Sequence, residues 1–399
     1  MYFCSMANTI LFDPPTRDQL LPLTATRPVA DLRLGIMTIR EKWTHQLGTT
    51  SSLTQPYLQD KFPLVVTDNN LLVNGSIIPT PGLVAALQEL KDGAAIWYNG
   101  QLVALQTNES EEHRLRHLLT NPPQGQEWPE KLLHIDRPWH IFAHNGGAIA
   151  QDITLLDLDP NPEDISNSNT LIGEEIYIEA GATVEGAILN ADKGPIYIGQ
   201  DAEIMEGCVV RGPFAMGDHA VLKMGAKIYG PTTLGPYCKV GGEVNNAVFT
   251  GYSNKAHDGF LGNSVIGEWC NLGADTNNSN LKNNYAEVKL WSYPEQRFTR
   301  TGLQFCGLIM GDHSKCGINT MFNTGTVVGV FANIFGAGFP RNFVPDFAWG
   351  GAHKMITYQI DKALEVAERV MARRNIPLTP TDVAILRHIF NETAQYRNF

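Results

Sequence analysis

The stretch Gly241–Leu281, GGEVNNAVFTGYSNKAHDGFLGNSVIGEWCNLGADTNNSNL, gathers residue types suited to chemistry on small polar molecules. It holds one histidine, His257, inside AHDG, with Asp258 beside it and Asp275 further on. An imidazole titrates near neutrality and can serve as a general base, although a lone histidine is as readily a polar surface residue. The same stretch carries Asn245, Asn246, Asn254, Asn263, Asn271, Asn277, Asn278 and Asn280. Carboxamides donate and accept without charge, which suits sugar hydroxyls and amides. Asparagine also fills left-handed corner positions and stacks as ladders, so a purely structural role stays open for these residues.

Charge and composition bound the partners. The chain has 399 residues, 43% hydrophobic and 18% charged, with 37 glycines and a net charge of −11. Low charge argues against disorder, and extra glycine suits short strands joined by tight turns. The acidic balance excludes nonspecific nucleic-acid binding. Small anions stay open, with Lys227 and Arg17 as candidate local cations. Cys4, Cys208, Cys238, Cys270, Cys306 and Cys316 form no C-x-x-C pair and read as free thiols in a reducing compartment. No metal site is expected from them. No apolar run reaches 18 residues, and the start, MYFCSMANTILF, lacks the basic region and cleavage site of a signal peptide. These features predict a cytoplasmic protein with no membrane contact, in which Met6 is an alternative start.

The elements that must position His257 announce themselves by a period of six. Ile198, Ile204, Val210, Met216, Leu222, Ile228, Leu234 and Val240 are all aliphatic or Met, and Gly follows at 199, 217, 235 and 241. With about 35% large apolar residues, eight in a row arise by chance roughly twice in ten thousand starts. Neither a helix nor a strand gives this step. It is the pattern of a parallel β-helix, with one inward side chain per side of a triangular coil and glycine where corners need unusual angles and close approach. The step also runs through Ile172, Ile178 and Val184, through Phe260, Ile266 and Leu272, and from Met310 through Cys316, Phe322 and Val328 to Ile334. It breaks at Asn283–Gln304 (within it, KLWSYPEQRF), which predicts a loop or hairpin projecting from the prism.

Before the coil, residues 8–158 alternate strand and helix, with strands at Thr9–Phe12, Leu64–Thr67, Ala94–Tyr98 and Leu102–Leu105 and helices at Gly35–His45 and Leu83–Leu90. That order favours an α/β domain with a mainly parallel sheet. Asp157–Asn169 reads as a linker. Residues 165–350 form the β-helix domain and 351–399 a helical segment, with Met355–Arg374 helical and Thr379 or Thr381 capping a last helix before Phe390. These helices are expected to cap the solenoid or pack on a neighbouring subunit.

The run SNKAHDGFLGNSVIGEWCNLGADTNNSN resembles the acetyltransferase domain of the bifunctional N-acetylglucosamine-1-phosphate uridyltransferase/glucosamine-1-phosphate N-acetyltransferase family. His257, Phe260-Leu261-Gly262, Ile266-Gly267, Asn271-Leu272-Gly273-Ala274-Asp275-Thr276 and Asn280 carry the likeness over about forty residues. The resemblance implies a left-handed parallel β-helix, a homotrimer with sites between neighbouring prisms, and acetyl-CoA as cosubstrate. It implies that His257 deprotonates an attacking amine, that the Ala274 N–H holds the thioester oxygen, and that Asn271 and Asn280 hold a sugar. The family's phosphate-binding Arg aligns with Lys227, its phosphate-contacting Lys with Asn245 and its Tyr with Phe260, and Asp275 replaces a Gly. Those departures imply a different acceptor or acyl group, or lost activity. The acceptor class implied is an amino-sugar phosphate or a nucleotide sugar, in nucleotide-sugar and cell-envelope biosynthesis.

The N-terminal part resembles the same family through Arg17, LLPLT and RPVADL, which implies a Rossmann-like, nucleotidyltransferase-like domain. Asp13-Pro14-Pro15 stands where a glycine-rich loop cradles triphosphate, and proline has no N–H to offer. Asp13, Arg17, Arg27 and Asp68 are the nucleotide-site candidates, with Mg²⁺ required only if this domain is active. Three functions follow: an acyltransferase, a sugar-1-phosphate nucleotidyltransferase acting alone or bifunctionally, or a non-catalytic trimeric scaffold.

Overall fold

A computed structural model describes residues 7–161 and 165–399. Cys4, Met6 and part of the expected linker, residues 162–164, lie outside the described residues. The chain folds as two compact units. The first runs to Arg17 and adds Arg27–Leu32 and Met37–Asp136; the second comprises Asp18–Thr26, Arg33–Ile36 and Arg137–Phe399.

The first unit is a six-stranded sheet. Its strands are β1 (Asn8–Phe12), β2 (Thr50–Leu53), β3 (Asn70–Asn74), β4 (Ala95–Tyr98), β5 (Gln101–Thr107) and β6 (Gln126–Glu127), in the order β2-β1-β3-β5-β4-β6. Helices α1 (Ile39–Leu47), α2 (Pro81–Gln88) and α3 (Glu112–Thr120) alternate with them. The sheet is mixed rather than mainly parallel: β1 pairs parallel with β2 and β3, whereas β5 runs antiparallel to both β3 and β4. The tight Asn99-Gly100 connection, both residues at positive φ, turns β4 back into β5 without a crossover helix. Residues 64–67 form no strand. Leu64 and Val66 pack against the core while Val65 is 52% exposed, and Pro63 lacks the N–H a ladder needs.

The second unit is a parallel β-solenoid followed by helices. Three ladders of short strands make its faces. One climbs through 188–190, 209–211, 227–229 and 243–245; a second through 196–198, 214–216, 232–234 and 247–249; a third through 203–204, 221–222, 239–240 and 254–255. All eight residues from Ile198 to Val240 in steps of six are at most 1% exposed. A second inward ladder stands two residues earlier, at Ile196, Ala202, Cys208, Phe214, Ala220, Ala226, Thr232 and Cys238, and is equally buried. Each side therefore contributes two inward side chains, not one. The glycines after the inward residues answer close approach: a Cβ on Gly235 would stand 2.0 Å from the Thr250 carbonyl.

The period departs from expectation at two places. Ile172 is 38% exposed, because the pairing sets it beside Asn190 in the outward phase while Leu171 takes the rung beside the buried Leu189. Phe260 faces outward and Leu261 takes the core position, since the pairing sets Phe260 beside Glu243 and Leu261 beside Val244.

One corner is a ladder of residues in the left-handed region. Asp201, His219, Tyr237, Tyr252, Trp269, His313, Phe331 and Phe347 all have φ between 52° and 61°. From His219 onward these rings stack with centroids 4.4–6.3 Å apart. Stacking of this kind is worth about 0.5–1.5 kcal/mol per pair and offsets the left-handed penalty.

Helix α4 (Pro138–Leu155) lies on the second face, where Ile149 and Ile153 meet Tyr177, Tyr197 and Ala215. The Asn145 carboxamide oxygen accepts from Gly35 N–H at 2.9 Å and Thr233 Oγ1 at 3.1 Å. The expected insertion is a hairpin, Lys289–Ser292 antiparallel to Arg297–Arg300, but it does not project. It lies back on the solenoid, with Trp291 stacked 4.3 Å from Phe343 and Tyr293 Oη donating to Asp346 at 3.1 Å. Helices α5 (Ile360–Ala372) and α6 (Pro380–Glu392) follow, the latter opened by a Thr379/Asp382 capping box. They pack along the aromatic corner, where Phe390 meets Phe347 and Arg374 donates to the Tyr237 carbonyl.

Candidate functional site

His257 sits on an exposed corner of the solenoid, between the strands Asn254–Lys255 and Phe260–Glu268. The chain can turn tightly there because Gly242 lies beneath it: a Cβ on Gly242 would meet the His257 carbonyl at 2.9 Å. On the other side, Asp275 N–H donates to the Asp258 carbonyl at 3.0 Å. His257 and Ala274 therefore stand on adjacent coils of one corner. The Ala274 carbonyl accepts from Asn319 N–H at 2.8 Å, while its own N–H has no acceptor among the described residues. Asp275 has φ 55°, a left-handed position that aspartate tolerates, so the backbone itself explains a residue other than Gly at this site.

Beneath His257 is a buried lysine that sequence reading missed. Lys255 pairs with Val240 and takes an inward rung at 1% exposure. Its ammonium donates to the Gly241 carbonyl at 3.0 Å and the His257 carbonyl at 2.8 Å. Burial lowers its pKa to about 8, partly opposed by Asp258 and Asp275. A lysine in an aliphatic ladder is costly unless hydrogen-bonded, and these two carbonyls supply the bonds.

The wall beside this corner presents the other candidates in register. Lys227, Glu243 and Phe260 form one column across adjacent coils, and Tyr229, Asn245 and Gly262 the next outward column. The Tyr229 hydroxyl donates to the Glu243 carboxylate; burial, then this bond, pushes its pKa up. Tyr229 and Glu243 are further candidates for the site, and their signal was positional: they share the outward phase of Lys227 and Asn245. A Cβ on Gly262 would meet both the Asn280 amide nitrogen and the Phe260 ring at 2.6 Å, which puts those two side chains together. Asn280 also donates to Asn263 Oδ1 at 2.8 Å. Asn271 is exposed on a neighbouring face, in register with Asn254 and Lys315. Asn277 and Asn278 are structural: they accept from Phe260 N–H and Gly262 N–H, each at 2.8 Å.

The nucleotide-site candidates behave differently. The Asp13 side chain is buried, accepts from Val29 N–H at 2.8 Å and Thr54 Oγ1 at 2.5 Å, and lies 3.3 Å from Arg17 Nε. Burial holds its carboxyl above the ordinary range, against the pull of Arg17. Arg17 also donates to Tyr57 Oη at 2.8 Å, and Arg27 is 7% exposed. Asp68 stands exposed in the bend before β3. Among the described residues no three His, Cys, Asp or Glu gather as metal ligands. The five described cysteines are free and buried; burial pushes Cys238 and Cys306 up to about 12. No described helix is long and apolar enough to cross a membrane.

Comparisons with known proteins bear on each part. Residues 9–160 match the model of the sugar nucleotidyl transferase family. No curated protein sequence matches the chain. Among solved structures, an Arabidopsis UDP-N-acetylglucosamine acyltransferase is similar at 14% identity, over 59% of this chain and 98% of that one, with a TM-score of 0.25. AntD, an N-acyltransferase from Bacillus cereus in complex with dTDP and 3-hydroxybutyryl-CoA, is similar at 13% identity, over 51% and 91%, with a TM-score of 0.22. A hexapeptide transferase family protein from Anaplasma phagocytophilum is similar at 12% identity, over 56% and 90%, with a TM-score of 0.14.

Proposed function

We propose that the chain is an acyl-CoA-dependent acyltransferase that moves an acetyl or related group onto the amine of an amino-sugar phosphate or nucleotide sugar. The observation that carries this reading is the exposed His257 on the same corner as Ala274, one coil apart, with the Ala274 N–H free to donate. In the reaction the amine nitrogen attacks the thioester carbonyl carbon, His257 takes the amine proton, the C–S bond breaks and the sulfur leaves as the CoA thiol after protonation. In this reading the Ala274 N–H stabilises the oxyanion. Phe260, Asn280, Asn271 and Asn245 bind the acceptor, with Lys227 supplying charge to its phosphate. This reading assigns 8–158 to a nucleotidyltransferase-like domain, 165–350 to the acyltransferase and 351–399 to a helical segment, in a cytoplasmic homotrimer.

A second reading rests on the family match at 9–160: sugar-1-phosphate nucleotidyl transfer, alone or beside acyl transfer. Thermal shift separates the two. A ligand that binds only the folded state raises its melting temperature. Stabilisation by acetyl-CoA supports the acyltransferase; stabilisation by a nucleoside triphosphate only with Mg²⁺ supports the nucleotidyltransferase. Stabilisation by neither contradicts both.

A further inference from the structure

The inserted hairpin builds a groove that neither reading has used. It measures about 710 Å³, and the hairpin supplies Lys289, Trp291 and Phe298, while the solenoid supplies Lys282, Arg341 and Phe343. Three cations and no carboxylate line it, in a chain of net charge −11. Lys282 spends one donor on the Glu287 carbonyl, at 2.9 Å. The ends of Lys289 and Arg341 have no hydrogen-bond or ion-pair partner among the described residues. The aromatic wall is built, since Trp291 stacks on Phe343 at 4.3 Å and 10°, and Phe298 meets the Trp291 ring edge to face at 5.5 Å. Phe298 remains 41% exposed.

Unpaired cations beside an exposed ring suit a ligand with a flat base at one end and phosphates at the other. The groove also borders the candidate acceptor site. Lys282 follows Asn280 by two residues, and Thr324 on the groove donates to Ser279 Oγ at 2.9 Å.

From this we infer that the groove binds a nucleoside diphosphate, the base against Phe298 and Trp291 and the phosphates on Lys289 and Arg341, and that the acceptor is a nucleotide sugar rather than a sugar phosphate. The second clause rests on the acyltransferase reading; the binding site does not.

Calorimetric titration of the full chain with UDP, dTDP, GDP and ADP tests it, with inorganic pyrophosphate and adenosine 3′,5′-bisphosphate as comparisons. At least one nucleoside diphosphate binds tenfold or more tightly than pyrophosphate. Lys289→Glu with Arg341→Glu weakens it at least tenfold, Phe298→Ala at least threefold, and His257→Ala leaves it unchanged. All of these positions are exposed, so circular dichroism of each variant verifies its fold. Pyrophosphate binding as tightly as the diphosphates removes the aromatic wall from the account and overturns the site. So does diphosphate binding that ignores the groove variants. Binding of adenosine 3′,5′-bisphosphate alone assigns the groove to coenzyme A and overturns the acceptor claim. Groove-dependent binding in a chain that transfers no acyl group keeps the site and sinks the acyltransferase reading instead.

Discussion

His257 and Lys255 divide the work at one corner: one side chain faces solvent, the other holds the main chain that carries it. Replacing His257 by Ala removes an exposed ring and no core packing. Acyl transfer is expected to fall by about a hundredfold or more, the scale of general-base catalysis, with the melting temperature unchanged. Lys255 makes a different prediction. Its pKa falls from 10.5 to about 8 on burial, so the folded state binds fewer protons than the unfolded state between those values. Stability must therefore rise with pH across that window and be lowest, by on the order of 3 kcal/mol, below pH 8. Lys255→Met abolishes this slope. Urea melts at pH 7 and pH 10 should show wild type gaining on the variant as pH rises; parallel behaviour of the two proteins would contradict the buried ammonium.

At the scale of elements, the solenoid depends on close coil-to-coil approach at some glycines and on backbone freedom at others. Gly235→Ala pushes a methyl to 2.0 Å from the Thr250 carbonyl and should cost about 1–3 kcal/mol or more. Gly225 has φ 69° and open space around its Cβ position, so Gly225→Ala should cost only the left-handed penalty, about 1–2 kcal/mol. Thermal melts of the two variants should rank in that order. The solenoid was legible because inward residues must recur at a fixed step, and Ile198 through Val240 do so without exception. The second ladder was harder to read, because Ala202, Cys208, Ala220 and Thr232 are too small and varied to look like a core. Helix α4 was overlooked because Gly146-Gly147 and three polar residues, His140, His144 and Asn145, interrupt its apolar spacing; Asn145 is in fact buried as a bridge. At the site, His257 stood out as a lone imidazole in a break of the repeat. Lys255 did not, since a lysine in sequence reads as solvated until the register with Val240 turns it inward. The loop at Asp13 was legible as lacking glycine, but its closure by Arg17, Thr54 and Val29 is a tertiary fact.

For the whole molecule, the corner bearing His257 and Ala274 continues through exposed Ile318 and Phe335, which are 70% and 42% accessible in the single chain. Apolar side chains beside a proposed active site suit an interface between copies of the chain. The account expects a trimer by light scattering at micromolar concentration; a monomer would count against sites shared between prisms. The central claim is that His257 drives transfer from acetyl-CoA to an amino sugar. Thiol release from acetyl-CoA tests it most directly, and burial of the five described cysteines limits their contribution to the background. With amino-sugar phosphates and nucleotide amino sugars offered as acceptors, the account predicts acceptor-dependent release by wild type and its loss in His257→Ala. Equal release by the folded His257→Ala variant, or none by wild type with any such acceptor, would contradict it.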